Sequence, residues 1–326
     1  MVDHNRLLRH LGGVDVRVAA IDCGTNSIRL LVADIHGSVL TEVKRRMTIV
    51  RLGEGVDRTG VFSEAALTRT FTACDDYARV IDALDVDRVR FVATSASRDA
   101  ANRDDLMSGI RTRLGVDPEV ITGGEEALLS FRGAVEGLPP DLVSPPAVVV
   151  DIGGGSTEFV LGDRSSGGEL QMQSAVSVDI GCVRMTERHL HGDPPDAEQI
   201  ALVEADVAAA LDRSDLAVPW RDADTLIGVA GTVTTIVALA RGLSTYDPAL
   251  IHGMSADLDE VEAITERLLT MDRHARAALP VMHPGRVDVI IGGALVLRAI
   301  LRRAGRAVTA SETDILDGVA RSLAER

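Results

Sequence analysis

A short loop of one design occurs twice in this chain, and few folds accommodate both copies. Asp22-Cys23-Gly24-Thr25-Asn26-Ser27 follows the apolar run Val18-Ala19-Ala20-Ile21. Asp151-Ile152-Gly153-Gly154-Gly155-Ser156 follows Val148-Val149-Val150. Each copy reads as a strand, then Asp-x-Gly-x-x-Ser, then a second strand: residues 28–32 after the first, 159–161 after the second. An acid at a strand end can hold a hydrated cation. Glycines let backbone N–H groups approach an anion, and a hydroxyl adds one more donor. Two such hairpins, about half a chain apart, predict a duplicated fold whose halves clamp a phosphate chain and its metal.

The 326 residues carry a net charge of −15, which argues against a general nucleic-acid surface. An anionic ligand would need a local basic groove to overcome that mean field. Lys44 is the single lysine, so arginine supplies the basic side chains, and its planar fork suits phosphate. Aromatic residues make up 2% of the chain, too few for a base-stacking platform. Cys23, Cys74 and Cys182 are isolated and lack metal-ligand spacing, which fits a reduced cytoplasm. No apolar leader opens the chain, and no run approaches membrane-spanning length. Residues 1–15 read as a loose extension.

Strands alternate with helices along the chain, and hairpins interrupt the alternation. That pattern predicts α/β layers with mixed sheets. After the first hairpin a third strand is expected to end in Arg51-Leu52-Gly53-Glu54-Gly55. Ser63 reads as an N-cap, and Gly115 as the stop of a helix starting at Asn102 or Asp104. Gly123-Gly124 opens a helix beginning Glu125-Glu126-Ala127. In the second half a third strand spans about 171–178, and Gly181 precedes a further helix. Strand 226–230 enters Gly231-Thr232-Val233-Thr234-Thr235. Ser311-Glu312-Thr313-Asp314 has the capping-box pattern before the last helix.

Asp22 and Asp151 are candidate magnesium acids, with an Asx turn as the structural alternative. Arg29 lies seven residues after Asp22 and Glu158 seven after Asp151, so equivalent hairpins would place them at matching positions. Glu125 and Glu126 suit a helix N-terminus electrostatically, and either could also activate water for attack on phosphorus. Arg98 could clamp a terminal phosphate or pair with Asp99 or Asp104. Cys23 to Arg29 has the Cys-x5-Arg spacing of cysteine phosphatases. A strand follows it instead of a helix, and the second copy has Ile152 in its place, so Cys23 reads as a packing residue. No Gly-x-x-x-x-Gly-Lys-Ser/Thr motif is present.

Together with Ala93-Thr94-Ser95-Ala96-Ser97-Arg98, Thr122-Gly123-Gly124-Glu125-Glu126-Ala127, Val150-Asp151-Ile152-Gly153-Gly154-Gly155-Ser156-Thr157-Glu158, Gly181-Cys182-Val183-Arg184 and His283-Pro284-Gly285-Arg286, the chain resembles the exopolyphosphatase/guanosine pentaphosphate phosphohydrolase family. The resemblance implies two actin-like, ribonuclease-H-like domains with an interdomain cleft. One comprises 1–135 plus 308–326, with the last helix returning to it; the other is 136–307. It implies Glu126 as catalytic base. It implies phosphate binding by Gly24, Thr25, Asn26, Ser27, Arg98, Gly153, Gly154, Gly155, Ser156 and Thr157. Asp22, Asp151 and Glu158 would hold Mg²⁺ or another divalent cation. The implied reaction removes the terminal phosphate of inorganic polyphosphate in the cytoplasm, without nucleic acid or membrane, in a chain that could pair as a homodimer. Two alternatives follow: hydrolysis of pppGpp, with a link to the stringent response, or of a nucleoside triphosphate; and a non-enzymatic actin-like nucleotide-binding regulator.

Overall fold

The computed structural model describes residues 16–164 and 170–324; the extension expected at 1–15 lies outside them. The described residues form two compact units, one up to Thr122 and again from Ile315, the other between Gly123 and Asp314.

In the first unit, strands β1 (Val16–Cys23), β2 (Ser27–His36), β3 (Val39–Ile49), β4 (Arg88–Ala93) and β5 (Glu119–Val120) form a sheet ordered β3-β2-β1-β4-β5. The hairpin strands pair antiparallel, and β4 and β5 join parallel. In the second, β6 (Ala147–Ile152), β7 (Thr157–Arg164), β8 (Leu170–Val178), β9 (Thr225–Val229) and β11 (Val308–Ala310) repeat the plan as β8-β7-β6-β9-β11. Polarities match strand for strand, and β10 (Ser255–Ala256) adds an antiparallel edge. This is the ribonuclease-H-like order of actin-like proteins, present twice. The central strand β6 is buried at every position, as a strand covered on both faces must be.

Local signals account for much of the helix placement. Helix α1 (Glu64–Ala83) starts at Ser63, whose hydroxyl accepts from the Ala66 amide, and it buries Ala66, Thr70, Ala73, Cys74 and Tyr77 on one stripe. The Tyr77 hydroxyl donates to the Ile28 carbonyl at 2.8 Å, which satisfies its polar tip under the sheet. Helix α2 (Arg103–Leu114) stops at Gly115, in the left-handed region at φ 66°.

Two expectations change. Strand β3 ends at Ile49, because the amides of Val50, Arg51 and Gly53 turn to the carbonyls of Asn26 and Thr25. Ser311 is not a helix cap: the last helix starts at Ile315, and the Ser311 hydroxyl donates to the Thr313 carbonyl, closing a turn. The capping box occurs instead at Asp257 and Glu260, which open the helix Leu258–Leu269.

The domain boundaries also move. Helix α3 (Gly123–Gly137) packs on β6, β7 and β8, and β11 pairs with β9, so both belong to the second unit. The crossings fall at Thr122/Gly123 and Asp314/Ile315 in place of the expected 135/136 and 307/308. The last helix, Ile315–Ala324, packs on β1, β2 and β4 of the first unit. There Arg45 holds the buried Asp317 at 2.7 Å, and Arg88 and Arg90 donate to the Leu323 carbonyl and the Ser322 hydroxyl.

The second unit's core centres on Trp220, whose ring meets Phe159 at 5.1 Å and whose indole N–H donates to the Ser214 hydroxyl at 3.1 Å. Truncating Trp220 to Ala should cost about 3–5 kcal/mol through the cavity left behind. Chemical denaturation followed by far-ultraviolet circular dichroism measures it. A loss below about 1 kcal/mol would mean that the core closes over the gap.

Candidate active site

The two repeated loops are equivalent in detail. Asp22 pairs across its hairpin with Arg29, and Asp151 pairs with Glu158. The Gly24 amide donates to the Ser27 carbonyl at 2.9 Å, and the Gly153 amide donates to the Ser156 carbonyl at 3.0 Å. Each loop is strapped by the segment that leaves the third strand. In the first unit the straps are the amides at 50, 51 and 53 described above. In the second, helix α4 (Cys182–His189) supplies them: Cys182 donates to the Gly153 carbonyl at 2.9 Å, and Val183 and Arg184 donate to that of Gly154 at 2.9 and 3.1 Å. The Arg184 guanidinium adds a bond to the Gly155 carbonyl at 2.7 Å. Gly181 permits this approach, since a Cβ there would overlap the Gly154 carbonyl. With the loop carbonyls occupied, the amides of Gly154, Gly155 and Ser156 have no acceptor among the described residues. An anion-binding loop needs that condition.

The units diverge at the matching positions. Opposite Asp22, Arg29 forms an ion pair through Nη2 at 2.6 Å and Nε at 3.0 Å, both to Oδ2. Opposite Asp151, Glu158 is itself an acid, and Glu126 from the first turn of α3 joins them. Glu126, Asp151 and Glu158 are 8%, 7% and 1% exposed, so three carboxylates share a poorly hydrated place. Burial pushes the Glu158 carboxyl well above the usual carboxylate range. The charges of Glu126 and Asp151 push it further, and hydrogen bonds from Ser177 and Ser156 pull it partly back.

Ser130 and Ser177 hold the acids in place. Ser130 lies one turn after Glu126 and donates to Asp151 at 2.7 Å; Ser177, cross-strand from Glu158, donates to it at 2.6 Å. Gly123 lets α3 descend on β8, because a Cβ there would come within 2.9 Å of the Ser177 Cβ. The helical spacing from Glu126 was a usable signal for Ser130. Ser177 had none, because its register depends on an irregularity at Leu161/Gly162. Glu125, by contrast, is half-buried.

Thr25 packs on Gly53, where a Cβ would also crowd Ala96 in the short helix Ser95–Asp99. That helix carries Arg98, whose Nη1 donates to the Ile121 carbonyl at 3.2 Å. Cys23 sits in the core, and burial drives its thiol far above the ordinary range. A neutral thiol at a strand end cannot act as a phosphatase nucleophile. Among the described residues no group of three or more His, Cys, Asp or Glu side chains is arranged to hold a metal ion. The carboxylate and hydroxyl oxygens around Asp151 nevertheless suit a hard, largely hydrated cation that takes its remaining ligands from water and phosphate.

A sequence model of the Ppx/GppA phosphatase family matches residues 31–326. The chain belongs to that family. It is 48% identical over 322 residues to a Mycobacterium tuberculosis protein named exopolyphosphatase 2, covering 94% of this chain and 98% of that one. It is 33% identical over 259 residues to the guanosine-5'-triphosphate,3'-diphosphate pyrophosphatase of Vibrio atlanticus, covering 77% of this chain and 48% of that protein. A solved exopolyphosphatase-like protein superimposes with a TM-score of 0.90 at 43% identity, over 94% of this chain and 97% of that one. An exopolyphosphatase from Cytophaga hutchinsonii gives 0.85 at 25% identity, over 95% and 98%. No helix among the described residues is long and apolar enough to cross a membrane.

The raised Glu158 carboxyl links stability to pH. The folded state favours its protonated form, so the folded protein binds the extra proton between the unfolded pKa and the higher folded one. Stability from this group is therefore full below about pH 4.5 and declines as pH rises through that window. Glu158→Gln should raise the melting temperature at pH 8 more than at pH 4, measured by calorimetry with a chelator present. Equal shifts at both pH values would contradict the linkage. Gly181→Ala should displace the loop and lower turnover by about 10²-fold while circular dichroism stays native. Near-normal turnover would show that the strap tolerates a side chain.

Proposed function

We propose that this chain is an exopolyphosphatase, hydrolysing the terminal phosphoanhydride of inorganic polyphosphate. The carrying observation is the buried group of Glu126, Asp151 and Glu158 beside a strapped loop with open amides, in a chain similar over 94% of its length to a protein named exopolyphosphatase 2. Glu126 is the general base. It stands at a helix N-terminus, buried beside Glu158, whereas Glu125 is more exposed. A water oxygen attacks the terminal phosphorus, its proton passes to the Glu126 carboxylate, and the bridging P–O bond breaks. Orthophosphate leaves, and the chain is one phosphate shorter.

Residues of both loops bind the phosphates: Gly24, Thr25, Asn26 and Ser27 in one, and Gly153, Gly154, Gly155, Ser156 and Thr157 in the other. Arg98 adds a charged donor. Asp151 and Glu158 would hold Mg²⁺, with Asp22, whose carboxylate also meets Arg29, as a further acid. When bound, the cation neutralises charge on the transferring phosphoryl group. The Vibrio relative favours pppGpp as a second substrate, since its terminal bond belongs to the same class.

Glu126→Gln should bind polyphosphate yet lose about 10²–10⁴-fold in turnover, the usual contribution of a general base. Phosphate release from polyphosphate, pppGpp and ATP, measured side by side with Mg²⁺, tests both readings. Faster release from pppGpp would make the nucleotide the principal substrate. Full activity in Glu126→Gln would remove the base assignment.

A further inference from the structure

Two acid-free basic runs of the chain have opposite fates. Arg298, Arg302, Arg303 and Arg306 in the second unit are consumed within it. Arg298 and Arg302 meet Glu204 and Glu262, Arg303 meets Asp212 and Asp215, and Arg306 donates to the carbonyls of Ala304 and Arg221. Residues 43–53 in the first unit hold Lys44, Arg45, Arg46 and Arg51 and no acid. The flanking acids are already engaged, Glu42 with Arg45 at 2.8 Å and Glu54 with Arg69 at 2.8 Å. Arg45 also holds Asp317. Lys44 and Arg46 have no ion-pair or hydrogen-bond partner for their side chains among the described residues, and both are exposed.

Their placement is specific. Strand β3 is the open edge of its sheet, and it runs into the phosphate-type loop: Ile49 pairs with Ser27, and the Arg51 amide donates to the Asn26 carbonyl at 2.9 Å. Arg46 and Lys44 oppose Leu30 and Val32, so by the alternation of the strand they share one face. At about 3.4 Å per residue they stand ~10 and ~17 Å from Ile49 along β3. An unneutralised cationic strip leading away from a phosphate loop, on a chain of net charge −15, is complementary to a ligand with a charge on every phosphate.

We propose that the β3 edge, through Lys44 and Arg46, is a distal subsite for the internal phosphates of a long polyphosphate whose end lies at the loop. The inference rests on the exopolyphosphatase reading and deepens it. Short oligomers end before the strip, so the subsite discriminates by chain length. Salt weakens it, because exposed cations are screened and bound counterions are released.

The test uses full-length protein with Glu126→Gln, so that binding is read without turnover. Long-chain polyphosphate is titrated into that parent, into Lys44→Gln/Arg46→Gln, and into Arg213→Gln/Arg267→Gln. The last pair removes two exposed charges in the second unit and controls for net charge. Loss of the strip should weaken binding about three- to tenfold, the scale of two exposed ion pairs. It should also lower the slope of log affinity against log salt by about 1.4. The control should match the parent. With Glu126 restored, the ratio of kcat/KM for long chains over tripolyphosphate should fall by the same factor. An unchanged ratio, or an equal loss in the control, overturns the subsite while leaving polyphosphate hydrolysis intact. Displacement of bound polyphosphate by an equal charge of single-stranded RNA overturns it in favour of a nucleic-acid surface. Failure of the unmodified protein to bind or hydrolyse polyphosphate removes the activity and the subsite together.

Discussion

Three carboxylates sharing one buried place is the constraint to which the second unit is built. Burial and the like charges of Glu126 and Asp151 push the Glu158 carboxyl well above the usual carboxylate range. The surroundings keep the group assembled at a cost in stability. Ser130 and Ser177 each fix one acid, and Gly123 sets the helix carrying Glu126 against the strand carrying Ser177. Functional sites concentrate perturbed acids.

The first unit uses the same frame for the opposite purpose. At the position of Glu158 it places Arg29, which forms an ion pair with Asp22. Both loops are held by amides from the segment after the third strand, so the duplication extends from the sheet to the backbone hydrogen bonds of the loop. The side chains at the matching positions diverge. One copy retains a balanced ion pair, and the other concentrates negative charge.

Electrostatics also separates the unpaired basic strip from the rest of the surface. Most arginines are matched by an acid or a carbonyl, as in the run at 298–306. An acidic protein can attract a polyanion only where such matching is withheld, and β3 withholds it on the strand that leads to the loop.

Much was readable before any coordinates. The repeated Asp-x-Gly-x-x-Ser hairpin determined the mixed sheets, because an apolar run, a glycine turn and a second apolar run permit little else. Ser63 and Gly115 marked helix ends by local hydrogen bonding and backbone freedom, which need no distant partner. The matching of Arg29 with Glu158 was visible in the equal seven-residue spacing. Tertiary structure decided what depends on partners far along the chain. Val50 to Gly53 left the strand because the carbonyls of Thr25 and Asn26 compete for their amides. Ser311 closed a turn in place of a cap, and helix α3 joined the second unit because its apolar face meets β6 to β8. Ser177 reached Glu158, and Gly181 backed the loop, only through strand register and helix approach. Side-chain pattern specifies which face is buried, whereas what that face meets is set by packing between elements remote in sequence.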